Sequence, residues 1–408
     1  MRYLALTLVV LAIGFLMTCH LQRGNYATTN PQPQEVVTVL RPMAAILNED
    51  TLPPIEASET QIKGKPGPPF QFRRAQFIND TYGWAMTPYS LYRTIDGGKT
   101  WERLPQEPEK DARFMAFFFV NESNGWLAIL KQDFADHYGV GNSSVIMSTS
   151  DGGRTWNLQA SFKDEIEIRD VRFLNENEGL AIGSRGLGNR PDRGELFVVG
   201  TSNGGKEWIN FSGPANATFK NPWGVVNDRA DYAQLTSSAI LMLTEGGRVM
   251  STRDHGKSWN TVVILKDERT DGFYSSAGYY KLALDPKTRI RVLVGAMGDE
   301  GYWGGLLVDE HDQWTSYEIT RTPILDAVFL SENDVIASGL NVRRVDEKSR
   351  RGLKDAGVIL RSFDGGKSWQ SIYRSKTFET FFYLTKVKDN EFYAVSDTGT
   401  FLRFTLPQ

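Results

Sequence analysis

The sequence predicts an all-β protein, a β-propeller of four-stranded antiparallel blades. Three observations predict it. One turn motif recurs five times, the tryptophans that end it are almost evenly spaced, and short strand signals precede each copy. Seven blades account for the repeats, closed by an N-terminal strand; six is the alternative.

The motif reads [ST]-x-D-x-G-x-[ST]-W, the Asp-box. Its copies span residues 94–101, 149–156, 201–208, 252–259 and 362–369. Their acidic positions are Asp96, Asp151, Asp254 and Asp364, with Asn203 in the third copy, where Glu207 also replaces the hydroxyl residue. An Asp side chain opens such a turn by accepting backbone N–H groups that follow it. Gly supplies the positive φ of the hairpin. The Trp starts the returning strand and packs between sheets. These roles are structural, and they leave the box carboxylates occupied.

Trp101, Trp156, Trp208 and Trp259 are 51 to 55 residues apart, and Trp369 follows after 110. Half of that gap falls on Trp314, so residues 307–314 read as a worn copy that keeps only the aromatic. Ahead of the first box lie strand signals at 72–78, Gly83-Trp84-Ala85-Met86 and 91–93. The second and third units repeat them at 114–120, 125–128 and 145–147, then at 171–173, 179–183 and 196–198. Three strands, a box turn and a fourth strand make one blade. After Trp369 come strand signals at 381–387, 392–395 and 400–404, and no fourth. An open edge exposes unpaired backbone groups. Val36 to Leu40 is the candidate closing strand.

Ahead of the repeats, Met1-Arg2 and the apolar run from Leu4 to Met17 read as a signal peptide, too short for a comfortable membrane span. The lone cysteine follows as Leu16-Met17-Thr18-Cys19, resembling a bacterial lipobox, although Met17 and Thr18 stand where small residues are expected. Cys19 is therefore the lipidation candidate, with simple cleavage or an uncleaved anchor as alternatives. Residues 20–69 are Pro-rich and polar and read as a tether; the propeller is expected over 70–408. These features predict an exported protein of the cell envelope, periplasmic or membrane-anchored, or secreted.

Composition excludes several classes. One cysteine precludes an internal disulfide and a Cys-based zinc site, and four histidines show no ligand spacing, so no metal is expected. The formal charge of −3 provides no global field for nucleic acid. There is no phosphate loop, Gly-x-Ser-x-Gly elbow or His-Glu-x-x-His motif, and no cofactor is expected.

The Gly-Trp-Ala strands, the Asp-box ending and the period near fifty resemble the photosystem II assembly-factor family (the Ycf48/HCF136-like propellers) over residues 70 to 408. That resemblance implies a non-enzymatic scaffold holding a partner protein. The long insertions and the worn fifth blade depart from the compact family pattern, so the scaffold role carries over and the photosystem partner does not.

The insertions, 131–142, 184–194 and 341–357, all fall between second and third strands, on the face opposite the box turns. Long loops on a rigid scaffold are where binding concentrates. The third holds Arg343, Arg344, Arg350 and Arg351, and the second Arg185, Arg190 and Arg193. Guanidinium groups pair carboxylates in bidentate fashion. These arginines are the candidate site for a protein client with an acidic surface or tail; a solvated loop is the plain alternative. Tyr274, Tyr279, Tyr280, Tyr302 and Trp303 suggest either loop packing or a glycan surface.

Asp-boxes also mark sialidases. The early Arg-Ile-Pro motif of that family is absent, since Arg41-Pro42 lies in the tether. A glycosidase needs two carboxylates across the scissile bond, and Asp170 and Asp326 are the inner-strand candidates. A glycosidase and a non-catalytic glycan-binding envelope protein remain as alternatives, and no residue is assigned a catalytic role.

Overall fold

The structure, a computed structural model, describes residues 36–38, 43–46, 55–62, 72–105, 112–131, 143–163, 166–185, 195–210, 230–235, 240–244, 248–253, 258–266, 277–284, 286, 290–298, 301–310, 313–341, 356–377, 379–388 and 390–406. Every regular element among them is a strand.

Three strands precede the first repeat: β1 (Val36–Thr38), β2 (Ala45–Ile46) and β3 (Glu56–Gln61). Blade one is β4 (Arg74–Phe77), β5 (Gly83–Thr87), β6 (Ser90–Thr94) and β7 (Glu102–Arg103). Blade two is β8 (Ala112–Phe119), β9 (Gly125–Lys131), β10 (Ser143–Thr149) and β11 (Asn157–Phe162). Blade three is β12 (Ile166–Phe173), β13 (Gly179–Arg185), β14 (Glu195–Thr201) and β15 (Ile209–Asn210). Blade four is β16 (Ala230–Leu235), β17 (Ile240–Thr244), β18 (Arg248–Thr252) and β19 (Asn260–Lys266). Blade five is β20 (Ala277–Leu284), β21 (Ile290–Gly298), β22 (Gly301–Glu310) and β23 (Gln313–Thr320). Blade six is β24 (Ile324–Phe329), β25 (Val335–Asn341), β26 (Ala356–Ser362) and β27 (Ser368–Arg374). Blade seven takes β28 (Phe381–Lys388), β29 (Glu391–Ser396) and β30 (Thr400–Thr405), with β3 as its outer strand. The protein is a seven-bladed propeller, which settles the count against six. Of residues 307–314, those described end β22 and begin β23, with Glu310 paired to Gln313 and Trp314 buried, so the worn copy still builds a full blade.

The closing strand is not the one expected at 36–40. Glu56 to Gln61 pairs antiparallel with β30, from Glu56 opposite Thr405 to Gln61 opposite Thr400. Val36–Thr38 instead adds in parallel to β19 on blade four. The reason is distance along the chain. The last strand before blade one reaches the neighbouring blade seven, whereas residues further upstream lie further round the ring. Between them, Met43 bridges Glu318 on blade five and Ala45–Ile46 adds in parallel to β27 on blade six. The described residues 36–38, 43–46 and 56–61 thus pair with the outer strands of blades four to seven in order, and part of the expected tether belongs to the propeller.

Each repeat turn is a closed set of hydrogen bonds. In blade two, Thr155 N–H donates to Asp151 Oδ1 (2.9 Å) and Thr155 Oγ1–H to Oδ2 (2.6 Å), while Gly153 N–H donates to Thr149 Oγ1 (2.9 Å). Asp96 and Asp364 make the same contacts with Thr100 and Ser368. Asn203 keeps the backbone bond, accepting Glu207 N–H at 3.0 Å, and loses the hydroxyl donor. Asp254 lies outside the described residues. A second turn, joining the first two strands, locks onto the first. Asn121 Oδ1 accepts Ser123 and Asn124 N–H, and Gly152 N–H then donates to Ser123 O (2.8 Å). Gly97, Gly204 and Gly365 make the equivalent bond to Thr81, Asn177 and Asn333.

Aromatic side chains join the blades. Trp84 of blade one stacks on Phe119 of blade two, and Trp126 of blade two stacks on Phe173 of blade three. The Trp at the end of each of the first three boxes meets the Phe at this position of its own blade, edge-on: Trp101 on Phe77, Trp156 on Phe119, Trp208 on Phe173. A Cβ on Gly83, Gly125 or Gly179 would come within 2.5 Å of that ring, so the Gly of each Gly-Trp or Gly-Leu pair is required to seat it. Trp369 is buried in the blade-six core, and Trp259 packs beside the cluster shared by blades three and four.

Candidate partner-binding face

The hairpin topology sorts the loops onto two faces. Box turns and the turns joining first to second strands share one. The loops joining second to third strands, and the connectors between blades, share the other. That connector face carries the three insertions, whose flanking strands β9, β10, β13, β14, β25 and β26 hold them at the ends of regular ladders.

Arg185 closes β13, pairs in register with Glu195, and lies exposed with its guanidinium 5.3 Å from the Phe197 ring centroid. Arg190, Arg193, Arg343, Arg344, Arg350 and Arg351 lie outside the described residues, as does Cys19. Five further cations that the sequence reading did not single out are exposed on this face: Arg73, Arg113, Lys163, Arg321 and Lys376. They sit at first-strand starts and blade connectors, a signal visible only once the strands are assigned to a face. The described carboxylates here, Glu167, Glu379 and Asp397, are half-buried or buried. On the turn face, by contrast, Asp80, Glu122, Glu176 and Glu207 are exposed beside the box residues, with Lys99, Arg154, Lys206 and Lys367 among them. The small net charge hides a difference between the two faces.

Glu379 is buried at the connector into blade seven, against the base of the third insertion, where a Cβ on Gly357 would meet its Cγ at 3.1 Å. Burial would raise its pKa, but hydroxyl donors including Ser375 and Thr377 prevail and hold it low. Nearby Asp397 is pushed up, chiefly by burial. Glu379 is thus a charged acceptor that ties Ser375, Thr377 and Thr398 into the connector.

Inside the ring, Asp170 and Asp326 stand at one layer of their strands, three residues before Phe173 and Phe329. Arg74 of blade one reaches across blade two to Asp170 (2.6 Å) and to Arg169 O (2.8 Å). Ala116 is the residue at this layer of the intervening blade, and its methyl leaves the path open. Asp170 also accepts Arg172 Nε–H and Val171 N–H. Asp326 pairs with Lys281 (2.6 Å) and accepts Ala327 N–H and Leu384 N–H. Both carboxylates are buried and saturated with donors, so they serve as seams between blades. Trp303 is half-buried against the blade-four and blade-five core; the side chains of Tyr274, Tyr279, Tyr280 and Tyr302 lie outside the described set. Among the described residues no cluster of three or more His, Cys, Asp or Glu fits a metal, and no helix is long and apolar enough to cross a membrane.

No family model matches the chain. Among curated proteins it is similar to the photosystem II stability/assembly factor HCF136 of Arabidopsis thaliana, 24% identical over 356 residues, covering 78% of this chain and 71% of that one. It is also similar to xyloglucanase Xgh74A of Acetivibrio thermocellus, 26% identical over 161 residues, 38% of this chain and 18% of the enzyme. Among solved structures it superposes on YCF48 bound to D1 peptide with a TM-score of 0.55 at 18% identity, covering 90% of this chain and all of that one. The chain is a β-propeller that resembles the HCF136 and YCF48 propellers.

Proposed function

We propose that the chain is an exported, non-catalytic propeller scaffold that binds a partner protein on its connector face, as an assembly factor does. The repeat turns are Asp-boxes serving as structural clasps, and the site is the basic rim. One observation carries the reading: Arg73, Arg113, Lys163, Arg185, Arg321 and Lys376 are exposed on the same face as the arginine-bearing insertions, and the described carboxylates there are half-buried or buried. Cationic groups on a rigid frame steer and hold an acidic surface or tail. Similarity to an assembly factor, and to a propeller solved with a bound peptide, supports the same reading. The N-terminal segment is an export signal, with Cys19 as its lipid anchor.

The test is affinity capture of the protein with crosslinking from the envelope fraction of its native host. One client protein crosslinked near 185–193 or 343–351 is expected, and reversal of Arg343, Arg344, Arg350 and Arg351 to Glu abolishes it. Capture that survives the reversal overturns the site.

The xyloglucanase similarity is the observation behind a glycoside-hydrolase reading. Asp170 and Asp326, its inner-strand candidates, are both buried and tied into ion pairs and backbone bonds between blades, which favours a structural role for each.

A further inference from the structure

The outer rim is guarded unevenly. On blades four to seven a strap residue or strand pairs with the outer strand. On blade one the outer strand is two residues long, which is too short to template a partner strand, and on blade three the described part of the outer strand is Ile209–Asn210. Blade two differs. Its outer strand β11 runs six residues, Asn157-Leu-Gln-Ala-Ser-Phe162, and among the described residues no strand pairs with its outward edge. It contains no charged residue and no proline, the usual means of blunting an edge. Leu158 is 61% exposed on it, and Ile209 is 56% exposed on the outer strand of the adjacent blade.

Such an edge is able to accept a further strand, because the chain itself does this elsewhere. The bulge in the β10–β11 register recurs in β18–β19 and β26–β27, and both of those outer strands carry an added parallel strand, while the outer edge of β30 carries β3 in antiparallel pairing. The local backbone of β11 therefore matches edges that are already occupied.

We propose that β11 pairs antiparallel with β11 of a second copy, joining blade two of each molecule into one eight-stranded sheet across a two-fold axis. Two features select a second copy as the occupant. A two-fold contact satisfies the free backbone groups of both edges with equal length on each side. The uncharged sequence places no like charges opposite one another. Leu158 on each side then leaves solvent.

The test uses the full chain in nonionic detergent with Cys19→Ser, which removes the one native thiol. Leu158→Cys, treated with a short bismaleimide, is expected to give a crosslinked dimer, and Leu174→Cys, exposed on a turn, is not. In sedimentation, Ser161→Lys weakens the dimer about tenfold or more while the far-UV circular dichroism of the folded chain stays unchanged. A monomer at all concentrations up to about 100 µM overturns the proposal, as does a dimer indifferent to Ser161→Lys. Crosslinking of Leu158→Cys to a different protein overturns it in favour of a heterologous strand.

Discussion

Trp84 of blade one lies flat on Phe119 of blade two, ring centroids 3.7 Å apart and planes 6° from parallel, with Trp156 meeting the same ring edge-on at 6.2 Å. Phe119 is therefore the shared anchor of two blades. Trp84→Ala removes a fully buried side chain and should cost about 3–5 kcal/mol in urea denaturation. Phe119→Ala should cost a similar amount. The double variant should fall short of the sum by about 1 kcal/mol, because the stacking is lost only once. Full additivity would show that the rings merely fill space.

The repeat glycines separate backbone conformation from crowding. Gly97 and Gly365 hold the same turn position at φ of 70° and 73°. A Cβ on Gly97 would approach Asp80 O at 2.5 Å, whereas on Gly365 the nearest atom is Glu332 O at 3.6 Å. Gly365→Ala should cost about 1–2 kcal/mol, the price of a left-handed residue. Gly97→Ala carries that cost and the clash, so its loss should be the greater by thermal melting. Equal losses would mean that the Asp80 turn gives way freely.

These turns explain what was legible in the sequence. A residue that must accept backbone N–H groups or adopt positive φ has few substitutes, so Asp96, Gly98 and Trp101 recur as a visible pattern. The Gly-Trp pairs were equally visible, although their reason, seating Phe77, Phe119 and Phe173, needed the structure. The closing strand was hidden for a physical reason. Glu56 to Gln61 is mostly exposed on the rim, so nothing requires it to alternate apolar residues, whereas Val36 to Leu40 reads as a strand and its described part, Val36–Thr38, is a strap on blade four. The basic face was legible only in part. Arg185 belonged to a visible charge cluster, but Arg73, Arg113, Lys163, Arg321 and Lys376 are scattered along the chain and gathered by topology.

Acid should loosen the repeat turns. Against burial, which would raise it, the Asp151 carboxyl is held down to about 2 by the Thr155 side chain and amide, Thr149 and the Arg154 amide. Asp96 and Asp364 are held low against burial by equivalent donors. A carboxylate whose folded pKa is depressed contributes stability above its unfolded value, and that contribution is lost as pH falls through the folded value. For Asp151 the window runs from 3.8 down to about 2. Asp151→Asn, which places at this position the side chain that blade three carries, should melt a few degrees lower at pH 7 and show a smaller drop between pH 4 and pH 2. An unchanged acid profile would mean that other carboxylates govern acid unfolding.

The Arg74–Asp170 pair predicts an asymmetry. Asp170→Ala removes the carboxylate that Arg74, Arg172 and the Val171 amide share and should cost about 3–5 kcal/mol. Arg74→Ala leaves Asp170 with Arg172 and the Val171 amide and should cost less. Equal losses in denaturant titrations would place the cost in the pair itself.

The strap predicts graded losses on truncation. A chain starting at residue 34 retains every pairing of the strap and should melt as the full protein does. A chain starting at residue 47 loses the strands added to blades four and six, the bridge to blade five and the buried Ala44 with its bond to Glu318 O, and its melting temperature should fall by a few degrees. A chain starting at residue 63 also loses β3, which exposes the edge of β30 and removes Ile62 from its buried position beside Phe72 and Tyr393. That loss opens the ring at the junction between its ends, so melting should become broad as well as early. Amide exchange should then quicken in β30 ahead of the other strands. If exchange in β30 is unaffected, the ring is held shut by the blade-seven to blade-one contacts of Tyr383 and Tyr393 rather than by the sixfold register with β3.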